Sequence, residues 1–393
     1  MAIQAAALEG FTVIDFTSMM SGPYATRILA DCGARVIKVE TDAGDYMRYR
    51  SPVRDGRSTY YGQMNAGKES IVLDLKKPEG RALAQRLISQ ADVVVENYRP
   101  GVMAGFGLGY EDLKADNPDL IYCSISGFGQ DGKRARDPAY APIIHAACGY
   151  DMAHMKYNAQ LERPATTGIF VADVAVAIYA FGAIQTALLH RARFGGGQHI
   201  DVTLIDSMLN MLVYECQEAQ FRTDQRRPLY QPLKASDGFV MVAPVNQKNF
   251  ENLADALGSS DLKTDPRFST IRAREQNWSE LMTLIETWTM SRKAQDCEDI
   301  LMKAGVPCSR YATVAELVVD KDLEARNTFA EVSDGSGSFL IPRQPFRLSN
   351  SAVEVSRHVA DVGEQGEAIL KKFLGLSDED VESFKRAGAI GLK

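Results

Sequence analysis

Short runs rich in β-branched residues alternate with helix-patterned segments over the first 130 residues, and this rhythm limits the folds open to the chain. FTVIDF (11–16), RVIKVE (35–40), SIVLDL (70–75), VVVE (93–96) and LIYCSIS (120–126) read as strands. Between them lie GPYATRILADC (22–32), which has helical spacing and ends before Gly33, and PEGRALAQRLISQ, which opens on Pro78. Proline suits a first helical position because the N–H it lacks has no partner there. A short helix is expected over 110–115. Strands alternating with helices imply an α/β fold, a parallel sheet with helices on its faces.

The most apolar stretch, GIFVADVAVAIYAFGAIQTALLH (168–190), carries no charge from Val174 to Ile184 and is bracketed by Asp173 and Gln185. That run is shorter than the ~20 residues that span a bilayer, so a buried core helix is expected and no membrane partner. FGGGQ (194–198) breaks the chain, HIDVTL forms a strand, 207–222 looks helical, and RRPLYQP (226–232) reads as a linker by its prolines. A second block follows, with the strand GFVMVAP, helices near 246–257, 276–290 and 293–304, and the turn AGVPCSRYA. It reads as a smaller α/β domain. In the tail, a helix is expected near 365–373, and Ser377 before Asp378, Glu379 and Asp380 makes a good N-cap.

Charge and cysteine usage narrow the partners. The 44 basic and 51 acidic residues give a net charge of −7, which does not favour nucleic acid or anionic lipid. Cys32, Cys123, Cys148, Cys216, Cys297 and Cys308 form no CxxC pair or disulfide framework, so reduced thiols and a cytoplasmic location are expected. The N-terminal MAIQAAALEGFTVIDF has no basic n-region, and no signal peptide is expected. Five histidines without an HExxH or zinc spacing point to no metal site.

Few residues carry candidate chemistry. GFGQDG (127–132) follows a strand and matches GxGxxG, with Asp151 further on. A dinucleotide site needs a helix opening at its third glycine, and KRARDP has no apolar periodicity; a turn shaping a cleft fits better. Lys133, Arg134 and Arg136 there are either a solvated loop or phosphate contacts. Asp173 begins the long apolar helix, as its cap or as a functional acid, and the two roles are compatible. His145, Cys148 and Asp151, at i, i+3 and i+6, read as one helix face rather than a nucleophile pair. No GxSxG elbow exists, against an α/β-hydrolase.

Several stretches together resemble the class III CoA-transferase family, which also contains α-methylacyl-CoA racemases. They are IDFTSMMSGPYATRILADCGARVIKVE, NAGKESIVLDLKKPEGRAL, ADVVVENYRPG, GFGLGYEDL, GFGQDG, DPAYAPII, GGGQHIDVTLIDSML, DPRF and AGVPCSRYATVAEL, in order along nearly the whole chain. The resemblance implies a Rossmann-like large domain (1–205 and 330–393), a linker helix (206–232), a small domain (233–329) and a homodimer of interlocked rings. It implies coenzyme A and acyl-CoA as substrates, a carboxylic acid acceptor and no prosthetic group. Asp173 falls at the position of the family's nucleophile, forming an acyl anhydride and then an aspartyl-CoA thioester. Glu40, Leu73, Asn97, Tyr98, Arg99 and Tyr140 fall at CoA-binding positions.

This chain departs from the formyl-CoA transferases, which carry a glutamine at Met20, an arginine at Thr41 and a glycine-rich loop where APVNQKNF (243–250) stands. Small di- or hydroxycarboxylates, with a succinyl-CoA donor, are therefore expected in place of formyl or oxalyl transfer. The racemase alternative needs a histidine–aspartate pair where Tyr140 and Ala141 stand, which leaves one acid–base arm missing. A non-catalytic CoA-binding protein is the other alternative, and the intact Asp173 argues against it.

Overall fold

The computed structural model describes residues 5–158, 160–221 and 228–391, which fall into two compact units. The larger comprises 1–216 and 322–393, the smaller 217–321. Residues 206–216, expected in a linker, thus belong to the larger unit, as do 322–329, expected in the small domain. Residues 222–227, which hold the end of an expected helix and the start of the expected linker, lie outside the described residues.

The larger unit is built on β1 (Thr12–Asp15), β2 (Arg35–Glu40), β3 (Glu69–Leu73), β4 (Val93–Glu96), β5 (Ile121–Ser126) and β6 (Gln198–Thr203). These six are mutually parallel in the order β3-β2-β1-β4-β5-β6, and β7 (Ile390–Gly391) joins β3 antiparallel at the edge. Strands buried on both faces read as Val/Ile runs, which is why they were legible in sequence. In β4, Val93 and Val95 enter the core on one face and Val94 the core on the other. The strand order reverses between β1 and β4. At such a switch point the helices from the two adjacent strands diverge, leaving a crevice at the carboxyl ends of the strands.

Helix α1 (Ser21–Asp31) follows β1, α2 (Thr59–Asn65) precedes β3, and α3 (Pro78–Ile88) carries its proline in the first turn. After β5 come α4 (Ala141–Ala147), α5 (Tyr150–Tyr157) and α6 (Val171–Phe194); α7 (Leu204–Met211) follows β6. No helix opens at Gly132, where the chain runs on in bends and turns, as the polar KRARDP stretch implied. Helix α6 runs 24 residues, longer than its uncharged run and long and apolar enough to cross a membrane. Its alanine-rich side (Ala172, Ala175, Ala177, Ala180, Ala187) instead packs into the core shared with α1 and the sheet. It is not a wholly buried helix, because Ile178, Leu189 and Phe194 are 54%, 60% and 69% exposed.

The smaller unit has its own antiparallel three-stranded sheet, in which Phe239–Val242 pairs with Leu233–Lys234 and Cys308–Arg310. Helices Gln247–Ala256, Trp278–Thr289 and Ala294–Lys303 accompany it, around a core that includes Val240, Phe250, Phe268, Leu281 and Leu301.

Candidate active site

A cavity of about 770 Å³ opens at the switch point. Its walls come from the loops after β1 (Ser18–Ser21), β4 (Asn97–Pro100) and β5 (Ser126, Gly127), with Tyr46, Arg50, Tyr60, Tyr140, Phe170 and Asp173.

The loop after β1 is held from beneath by buried charge. Asp15, at the end of β1, pairs with Lys68 at 2.9 Å and accepts hydrogen bonds from the Thr17 and Thr26 hydroxyls. Burial alone would raise its pKa, but the Lys68 and Lys38 ammonium groups and the two hydroxyls hold it well below the usual carboxylate range. Lys38 donates to the Thr17 carbonyl at 2.7 Å and pairs with Asp45 at 3.0 Å. Met19 takes φ +68°, a conformation that costs a non-glycine residue energy and persists only where its surroundings impose it. Here Asp45 accepts the Met19 N–H at 3.3 Å, and the Asn97 amide clamps Ser18 on both sides, accepting its N–H at 2.9 Å and donating to its carbonyl at 2.8 Å. Gly22 permits the fold-back: a Cβ there would lie 2.3 Å from the Thr17 Cβ.

Asp173 is the third residue of α6 rather than its cap. Phe170 is the N-cap and makes no side-chain hydrogen bond, so the capping reading of Asp173 is corrected. Among the described residues the Asp173 carboxylate has no hydrogen bond and no cation partner, and burial pushes its pKa up to about 6. Its charge acts on Tyr60, whose hydroxyl donates to the Met20 sulfur at 3.0 Å. Burial and the charge of Asp173 together raise the pKa of Tyr60.

The cavity brings together Asn97, Tyr98, Arg99, Tyr140 and Asp173 from the sequence-derived set. Two others lie elsewhere. Glu40 is buried and grips Arg48 with both carboxylate oxygens (2.9 and 2.6 Å) while accepting from Ser70, so its hydrogen-bonding capacity is used inside the protein. Leu73 is packed in the core on the α3 side of the sheet. Lys133, Arg134 and Arg136 are exposed on the turn whose Ala135 and Asp137 reach the cavity, and Arg134 pairs with Asp137. Sequence reading missed Tyr46, Arg50 and Tyr60, which arrive from a segment between β2 and β3 that has no motif. It also took His145 for an ordinary helix-face residue; the side chain is fully buried and its Nε2 accepts the Ala172 N–H at 3.1 Å.

A switch-point cleft with an unpaired carboxylate on one wall and arginines on another suits an anionic substrate and a carboxylate nucleophile. Comparison with known proteins agrees with that class. The chain belongs to CoA-transferase family III, whose family model matches residues 8–365, and it is an enzyme of the CoA-transferase class. It is 35% identical over 384 residues to a succinate–glutarate CoA-transferase of Agrobacterium fabrum, covering 92% of this chain and 94% of that one. It is 36% identical over 376 residues to an acetyl-CoA:oxalate CoA-transferase of Acetobacter aceti, covering 93% and 95%. A CAIB/BAIF family protein from Brucella suis has the same fold, with a TM-score of 0.81 at 35% identity over 94% of this chain and all of that one.

Proposed function

We propose that the protein moves CoA from an acyl-CoA to a small di- or hydroxycarboxylate through covalent intermediates on Asp173, with succinyl-CoA as donor. The observation that carries this reading is the state of Asp173: a half-buried carboxylate in the switch-point cavity, partly desolvated and given no counter-charge by any described residue. Such an anion is a better nucleophile than a solvated or salt-bridged one. An Asp173 oxygen attacks the thioester carbonyl, the C–S bond breaks, and CoA leaves as thiolate with an aspartyl–acyl anhydride behind it. The thiolate attacks the aspartyl carbonyl and expels the donor acid as carboxylate. The acceptor carboxylate then attacks the aspartyl-CoA thioester, and the returning thiolate takes the new acyl group and frees Asp173. Each attacking group is already an anion, so no proton changes hands.

The substrate class is supported by relatives named for glutarate and D-citramalate and by Arg50 and Arg99 in the cavity wall; the relative named for oxalate runs against the departures at Met20 and Thr41 and keeps oxalate among the acids to test. Tyr98, Arg99 and Tyr140 are the proposed CoA contacts, with Lys133, Arg134 and Arg136 available to its phosphates. A homodimer belongs to the same reading: exposed Ile178 and Leu189, three turns apart on one side of α6, leave apolar surface that a second copy would cover. The deciding experiment crosses a panel of acyl-CoA donors with succinate, glutarate, oxalate and citramalate and reads the products by mass spectrometry. Exchange that Asp173→Asn abolishes is expected, with hydroxylamine trapping at Asp173 only when acyl-CoA is present. Undiminished exchange in that variant would overturn the proposal.

A further inference from the structure

His145 is a buried titratable group that the proposed chemistry does not use. It lies on α4, whose N-terminal flank is Tyr140 in the cavity wall, and its ring packs against Tyr150 with centroids 5.2 Å apart. Its one hydrogen-bonded nitrogen, Nε2, faces the first turn of α6, where it accepts the N–H of Ala172, the residue before Asp173. The first amides of a helix have no partner inside it and need an outside acceptor. In α6 the Val171 N–H goes to the Ile169 carbonyl at 3.0 Å and the Val174 N–H to the Phe170 carbonyl at 3.3 Å. Phe170, as N-cap, has no side-chain acceptor to offer, so the Ala172 amide is served from another helix.

We propose that His145 is a positioning residue for the transfer reaction: its neutral imidazole caps α6 at Ala172 and so sets the direction in which Asp173 presents its carboxylate. A nitrogen that accepts must carry its lone pair, so the proton resides on Nδ1, and an imidazolium would have no acceptor left. Burial favours the neutral form, against the pull of Asp151 on α5. Because α4 also leads out of Tyr140, the same ring ties two cavity walls together. Attack on a thioester needs the nucleophile placed within a fraction of an ångström, and a displacement of about 1 Å costs up to ~100-fold in rate.

The inference rests on Asp173 being the nucleophile, and the test separates the two. Glutamine places an acceptor close to the position of Nε2, whereas leucine fills similar space without one. His145→Leu is expected to lower kcat for CoA exchange about 10- to 100-fold while the KM for acyl-CoA and the Kd for CoA stay within about twofold. His145→Gln should recover most of that loss. Should His145→Leu fail to fold, His145→Asn carries the same contrast, because its amide oxygen is too short to reach Ala172. A kcat unchanged without the acceptor, or a loss as large in His145→Gln as in the variants lacking it, would overturn the positioning role. Exchange that persists in Asp173→Asn would remove the nucleophile reading and the inference with it.

Discussion

Asp15 and Asp173 both lie in the larger unit, Asp15 wholly buried and Asp173 half-buried in the cavity wall, and their surroundings differ sharply. Asp15 meets Lys68, Lys38 and two threonine hydroxyls, which together overcome the cost of burial and keep it ionised far below neutral pH. Among the described residues Asp173 meets no cation, and burial acts on it unopposed. The paired carboxylate fastens the loop after β1; the unpaired one is the proposed nucleophile. Within the proposed function, what separates the structural acid from the nucleophile is above all its partners.

Removing the Asp173 carboxylate should have the largest effect. Asp173→Asn is expected to lower exchange by about 10³-fold or more. Its folded-state pKa is raised from 3.8 to about 6, so the native state favours the protonated form and the ionised group costs stability. That cost is absent below about pH 4, grows through the interval and is complete above about pH 6, where it is about 3 kcal/mol. Thermal unfolding should show the variant more stable than the parent at pH 8 and equal to it near pH 4. Destabilisation at pH 8 would mean that Asp173 has a favourable partner after all.

The converse applies to Asp15. Lys68→Met leaves a buried carboxylate short of a cation and should cost about 3–5 kcal/mol in urea unfolding. Because the Asp15 pKa is depressed, the stability it contributes is present above about pH 4 and is lost as the pH falls below that. A loss under 1 kcal/mol in Lys68→Met would erase the distinction between the two sites.

The pH dependence of catalysis sharpens the comparison further. In the proposed mechanism Asp173 attacks only when ionised, so kcat/KM, which reports the free enzyme, should fall on the acid side with a midpoint near pH 6 and about tenfold per pH unit below it. A midpoint near 4 would mark a solvated or paired carboxylate. The smallest effect is expected at Tyr60. Its hydroxyl points at the Met20 sulfur, a weak acceptor, and developing negative charge on a thioester oxygen would be a stronger one. Tyr60→Phe should therefore lower kcat about tenfold with little change in KM, and an unchanged kcat would exclude that role.

Local signals account for what was legible. Pro78 opens its helix, and Ser377 caps Asp378–Arg386, its hydroxyl accepting the Asp380 N–H at 3.1 Å. The Asp173 cap was misread because an aspartate before an apolar run looks the same at N-cap and at the third helical residue, and only the φ/ψ of Phe170 distinguishes them. Glu40 lies outside the cavity lining because it turns to Arg48 in the short 3-10 turn Tyr46–Tyr49, and no sequence periodicity shows that pairing.

The amino-acid sequence by itself determined the parallel sheet, the position of the long apolar helix and the family, since these depend on hydrophobic period, on start and stop residues and on ordered motifs. Tertiary structure alone decided which carboxylate is paired and which, among the described residues, is left without a cation. Pairing Asp15 with Lys68 joins residues 53 apart, the Asn97 clamp reaches 79 residues back to Ser18, and the His145 cap spans 27 to Ala172. Desolvation and Coulomb energy depend on distances through space, and those exist only once the sheet has brought its loops to one edge.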